Sequence, residues 1–248
     1  MRPDCNYCFP YRQSDTPTTT TTRTATTTGK PAAPTHKSPA AFGSDTFQAE
    51  VGKEGTRYFS RVIHWPSGAA SGVTLGPGYD MGQRSAKSII NDLTRAGVAP
   101  RDALFFSYAA GLRGATAQAF VKQYRDSSPT ITAEAQQRIF TEIIRPAIIA
   151  DIQRIMSKPE TVRAYGTTSW GALPRAAQEL LFDLRYRGDY TPTTRKLLHP
   201  PLVAGDFREV VRIMEDRPLW QRFGVPDGRI EARIQIARRI LADPTRME

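Results

Sequence analysis

Glu54, Thr74 and Asp80 are the residues whose types and spacing suit a chemical task. Cleaving a glycosidic bond requires a proton on the leaving oxygen, and a carboxylic acid with a raised pKa supplies it near neutral pH. A second polar or acidic group must serve the other face of the sugar, by activating water or by stabilising positive charge. Glu54 is followed by Gly55, a helix-stop signal. Thr74 and Asp80 follow in the glycine-rich run Gly-Val-Thr-Leu-Gly-Pro-Gly-Tyr-Asp, residues 72–80. Gly72, Gly76 and Gly78 let backbone approach a bulky ligand and adopt positive φ. On this reading Glu54 is a partly buried, protonated acid and Asp80 a base or electrostatic stabiliser. Taken singly, each feature has an ordinary explanation: a solvated helix glutamate, a turn rich in glycine. A carboxyl separation of roughly 5–5.5 Å would mean retention and roughly 6.5–9.5 Å inversion.

Other chemistries lack their residues. No Ser-His-Asp, phosphate-loop or zinc-protease motif is present, and His36, His64 and His199 form no ligand pair. Cys5 and Cys8 form the sequence's one Cys-x-x-C pair, which reads as exposed thiols or as half a zinc site needing ligands from another chain. No cofactor or metal is expected. Glu50, one helical turn before Glu54, reads as a solvated residue. His64 reads as structural, and Trp65 and Tyr79 suit either sugar stacking or core packing.

The order of these residues carries a resemblance. Glu54-Gly55, followed by the stretch Ser71 to Gly82, resembles the pesticin-like branch of the phage-type lysozymes. Those are muramidases with Glu-Gly at the end of the first helix. Their second motif is Ser-Gly-Val-Thr-(Ile/Leu)-Gly-x-Gly-(Tyr/Phe/Val)-Asp-(Leu/Met)-Gly, with Pro77 here at the variable position. The helix start at Ile131 to Ala135, the segment Gln178 to Arg187 and the last, arginine-rich helix are similar to the large lobe of that family, so the likeness covers roughly residues 45 to 245. It implies an α+β, lysozyme-like fold: a small antiparallel sheet lobe, a larger helical lobe and a cleft between them. It implies Glu54 as catalytic acid, Thr74 as the residue that positions water or contacts sugar, and Asp80 as the second carboxylate. Tyr79 is the candidate sugar-stacking residue, and Asp183, Tyr186 and Arg187 match a helix that lines the groove. The implied reaction inverts at the β-1,4 bond between N-acetylmuramic acid and N-acetylglucosamine, without metal or cofactor.

Positioning these residues requires a short helix over 47–58, then strands carrying Val62, Ile63 and Trp65 and then Val73 and Leu75. Helices are predicted over 85–95, with Ile89, Ile90 and Leu93 inward, and over 114–125. Thr132 caps another helix, whose apolar face runs from Ile139 to Ile155 and which Pro146 should kink or break. Further helices span 174–187, the stretch after Asp206 with Glu209, and a last one with Ile230, Ile234, Ala237 and Leu241 on a stripe. Arg233, Arg238 and Arg239 on that last helix grip wall peptides or, as the favoured reading, are solvated. Helices after one small sheet make an α+β layout.

Residues 1–44, dominated by threonine and then by Pro31, Pro34 and Pro39, predict a disordered tether, and residues 45–248 the catalytic domain. The 248-residue chain carries 34 Lys and Arg against 24 Asp and Glu, a net charge of +10. That field favours polyanions, an anionic cell wall among them. No secretory leader and no membrane span is expected. The sequence therefore predicts a protein made in the cytoplasm and acting on peptidoglycan in the periplasm of target bacteria. Its tail suits a secretion spike or carrier, and an antibacterial effector implies a periplasmic immunity protein. Phage endolysin and non-catalytic peptidoglycan-binding module are the alternatives; nucleic acid is not an expected partner, since no recognition motif accompanies the charge.

Overall fold

The computed structural model describes residues 42–43, 46–47 and 61–242. Glu54, Glu50, most of the helix predicted over 47–58, Cys5, Cys8 and the threonine-rich start lie outside the described residues.

The glycine-rich run folds as a β-hairpin of β1 (Thr74–Leu75) and β2 (Tyr79–Asp80), with Thr74 opposite Asp80 and Leu75 opposite Tyr79. Gly76 and Gly78 turn the chain between them at φ of +58° and +91°, values that a residue with a Cβ rarely adopts. The predicted strand around Val62 to Trp65 reduces to one antiparallel bridge, His64 to Thr74. The reason is competition for its backbone. The Ile63 carbonyl accepts from the Arg125 guanidinium at 2.5 Å, the Arg61 carbonyl accepts from the Ile131 amide at 2.9 Å, and Pro66 has no amide hydrogen to donate.

Helices make up most of the rest. Ser85 accepts from the Ser88 amide to cap α1 (Ala86–Arg95), which buries Ile89 and Leu93 and leaves Ile90 half-buried. Next come α2 (Pro100–Ser107), with no counterpart among the predicted helices, and α3 (Gly114–Tyr124). Thr132 caps α4 (Ala133–Arg138) as predicted, by accepting from Ala135. Pro146 does not break the helical path. A π-helical segment, Ile139–Ile144, runs straight into α5 (Arg145–Met156), where Pro146 occupies the first turn. The wider turn, closed by the Arg145 amide on the Phe140 carbonyl, absorbs the hydrogen bond that proline cannot make.

The chain continues through α6 (Pro159–Tyr165), a 3-10 turn at Trp170–Ala172, α7 (Arg175–Arg187) and α8 (Pro192–Ala204). It ends with α9 (Phe207–Glu215), α10 (Arg217–Arg222) and α11 (Asp227–Ala242). Helix α8 has no predicted counterpart either, because Pro200 and Pro201 lie inside it. Thr191 caps its start, and Leu198 and Leu202 anchor it in the core. Leu180, Leu181, Phe182 and Leu184 of α7 are buried, as are Ile230, Ile234 and Ala237 of α11, and these two helices pack on each other. Leu241, predicted inward, is 44% exposed. The hairpin rests on the π segment. The described residues thus form an α+β arrangement, mostly helical with one small antiparallel sheet. No described helix is long and apolar enough to cross a membrane.

Candidate active site

Register creates the site's central pair. The Thr74 amide and carbonyl are both engaged by His64, at 2.8 and 2.9 Å. Thr74 therefore faces Asp80 as a non-hydrogen-bonded pair, the arrangement in which opposed side chains share a face and approach most closely. Leu75 and Tyr79 point to the other face, and both are fully buried.

The Asp80 carboxylate is held by the backbone. Oδ2 accepts from the Gly72 amide at 3.1 Å and Oδ1 from the Gly82 amide at 2.7 Å. Gly72 has no substitute here: a Cβ on it would lie 2.1 Å from Asp80 Oδ1 and 2.5 Å from the Gly82 amide nitrogen. Thr74 Oγ1 donates to the Gly72 carbonyl at 3.3 Å. With its proton directed there, the hydroxyl oxygen keeps lone pairs for an incoming donor such as water, and each Asp80 oxygen keeps a second acceptor position. Asp80 is half-buried and Thr74 buried.

The connection between α2 and α3 docks on this cradle. Gly111 donates to the Met81 carbonyl at 3.1 Å and Gly114 to the Ser71 carbonyl at 2.9 Å, while Arg113 pairs with Gly72 in an isolated bridge. Arg113 Nε donates to the Gly82 carbonyl at 2.7 Å. Sequence reasoning passed over Arg113, because in the sequence it only precedes a predicted helix.

Two tyrosines have different fates. Tyr79, a candidate for sugar stacking, is 0% exposed, so its ring has no face to offer. Its hydroxyl donates to Asp92 Oδ2 at 2.9 Å, Arg84 lies over the ring at 4.2 Å, and burial pushes its pKa up. Tyr186 reaches from α7 to the tip of the hairpin, where its hydroxyl donates to the Pro77 carbonyl at 2.5 Å. It positions the hairpin.

Asp183, read as a groove residue, belongs instead to an ion network inside the helical body, and Arg187 stands at the partly exposed end of that network. Asp183 is 3% exposed. It pairs with Arg229 at 2.6 Å and Arg233 at 2.8 Å, and accepts from Thr46 at 3.3 Å. Arg233 continues to Asp189 at 2.7 Å, and Asp189 pairs with Arg187 at 2.7 Å. Arg187 also donates to the Gly224 carbonyl. Arg233 is therefore neither solvated nor available to a wall peptide, since its side chain is fully buried. Arg238 and Arg239 pair with Glu215 and Glu179 on the surface. His64 is buried and its pKa is pushed down to about 4 by that burial. The ring is neutral at pH 7 and serves the fold.

Glu54 lies outside the described residues, as do residues 48–53 before it, whereas Phe42 and Phe47 are described. Phe47 packs on Phe140 with ring centroids 5.2 Å apart, and Phe42 on Phe182 at 5.6 Å. Phe140 and Phe182 each lie 6.0 Å from Tyr186. Phe42 and Phe47 are thus packed on the aromatic cluster that holds the hairpin tip. The protein belongs to the family described as Domain of unknown function (DUF8812), whose model matches residues 43–234. No curated protein matches it.

Proposed function

We propose that this member of the DUF8812 family is a lysozyme-like muramidase, a glycoside hydrolase that cuts the β-1,4 bond between N-acetylmuramic acid and N-acetylglucosamine in peptidoglycan. The observation that carries the reading is the pairing of Thr74 with Asp80 on one face of a hairpin, in a carboxylate cradle that admits only glycine at position 72. These are the residues that the resemblance to the pesticin-like lysozymes singles out. In the proposed reaction Glu54 protonates the glycosidic oxygen as the bond to the anomeric carbon breaks. Water enters from the opposite face, oriented by the Thr74 hydroxyl, and gives its proton to Asp80. Glu54 enters this reaction through the Glu54-Gly55 motif that the resemblance singles out.

The biological setting belongs to the same proposal. The +10 charge suits an anionic wall. A threonine-rich lead segment suits delivery to the periplasm by a secretion spike or carrier, with an immunity protein in the producing cell; a phage endolysin would use the same chemistry. A second reading has its own observation. Both Asp80 oxygens already accept backbone amides, which is what a purely structural aspartate in a glycan-binding module would do. Dye release from labelled peptidoglycan separates the two. The wild type releases dye and Glu54→Gln falls by about 100-fold or more. Equal release by both proteins would remove Glu54 from its role.

A further inference from the structure

We propose that the Arg113 guanidinium, beside the Asp80 cradle, binds a carboxylate of the glycan substrate and so distinguishes peptidoglycan from uncharged chitin-like chains. The proposal deepens the muramidase reading and rests on it for the identity of the glycan.

Position comes first. Arg113 touches both glycines that hold Asp80: it bridges Gly72 through the backbone, and its Nε donates to the Gly82 carbonyl at 2.7 Å. A Cβ on Gly82 would lie 2.9 Å from Arg113 Cγ and 2.9 Å from Gly72 Cα. The side chain is therefore laid along the cradle.

Orientation follows. With Nε committed to Gly82, the two terminal nitrogens, four N–H donors in one plane, keep no hydrogen-bond partner among the described residues. Arg113 is exposed and has no acidic partner among the described residues. Arg84, Arg185 and Arg238 show the contrast, each paired with a carboxylate: Asp92, Asp151 and Glu215. A planar fork of that kind, anchored at one end, matches a carboxylate in two parallel hydrogen bonds.

Chemistry names the ligand. Peptidoglycan presents carboxylates in two places: on its stem peptides, and on the lactyl group once the peptide is removed. Chitin chains present none.

The test measures binding by calorimetry in the Glu54→Gln background, so that turnover does not consume the ligand. The ligands are glycan strands with stem peptides, strands stripped by an amidase, and chitohexaose. Adding Arg113→Gln should weaken binding of a carboxylate-bearing ligand by about three- to tenfold and leave chitohexaose unchanged. Arg113→Lys should recover part of the loss. A loss confined to peptide-bearing strands assigns the stem carboxylates, and one confined to stripped strands the lactyl group. Equal weakening for all three ligands, or none, overturns the proposal; the former would make Arg113 a support for Gly82 alone. If wild type cuts none of these glycans yet Arg113→Gln still selectively weakens the charged ones, the muramidase reading fails and the Arg113 assignment stands.

Discussion

Thr74 and Asp80 stand directly opposite each other across the hairpin, and both hydrogen-bond to Gly72, the hydroxyl to its carbonyl and the carboxylate to its amide. One residue without a side chain thus fixes the two groups that would handle water. Gly72→Ala should therefore act on structure and site together. The new methyl would fall 2.1 Å from Asp80 Oδ1, so either the carboxylate or the backbone of Gly82 must move. Urea unfolding should show a loss of about 1–3 kcal/mol. An unchanged midpoint would mean that the cradle is looser than its distances indicate.

The Tyr186 hydroxyl ties α7 to the hairpin at Pro77. Tyr186→Phe keeps the ring in its cluster with Phe140 and Phe182 and removes one donor. The expected cost is about 0.5–1.5 kcal/mol. Native-state hydrogen exchange should quicken at the Gly78 amide, which closes the turn on Gly76, before it quickens in the helices.

Asp183 faces Arg229 and Arg233 with almost no water present; its side chain is 4% exposed and that of Arg233 0%. Removing one partner leaves buried charge uncompensated. Asp183→Ala should cost about 3–5 kcal/mol, readable as a fall in the denaturant midpoint. A groove-lining aspartate would instead lower activity and leave stability alone, so this variant separates the structural account from the sequence-based expectation.

Acid should destabilise the protein through its two described histidines. Burial pushes both His64 and His199 down to about 4 from an ordinary 6.5. In the unfolded chain both take up a proton near pH 6.5, whereas in the folded protein they do so only near pH 4. Stability should therefore be level above that window and decline as pH falls through it. His64→Gln should make the decline shallower by about half, measured as unfolding free energy at pH 7, 5.5 and 4.5. An unchanged slope would place the acid sensitivity in other groups.

What the sequence made legible was local. Thr132 and Asp206 cap helices as read, because capping depends on residues three apart, and Gly76 and Gly78 take the positive φ expected of glycines. The pairing of Thr74 with Asp80 was not read, because the strands were placed around Val62 to Trp65 and Val73 to Leu75 and the glycine-rich run was taken for a turn, whereas the run itself folds into the hairpin. Helices α2 and α8 were missed because Pro100, Pro200 and Pro201 look like breaks, although proline is tolerated in a first turn and a packed helix outweighs local propensity. Pro146 misled in the same way, since a π turn supplied an alternative bond. Asp183 and Arg233 were misjudged because their partners lie far away in the chain, 50 residues between the two and 137 between Asp183 and Thr46, and charge on a helix says nothing about which face is buried. Arg113 gave no signal at all. Its significance comes from contact with Gly82, 31 positions earlier.

The most direct test of the central claim is mass spectrometry of purified peptidoglycan after digestion and borohydride reduction, which marks each newly exposed reducing sugar. The muramidase account predicts that wild type yields fragments ending in reduced N-acetylmuramic acid, and that Glu54→Gln and Asp80→Asn yield them at least about 100-fold more slowly. Fragments ending in reduced N-acetylglucosamine, undiminished cleavage by both variants, or tight binding without any new reducing end would contradict it.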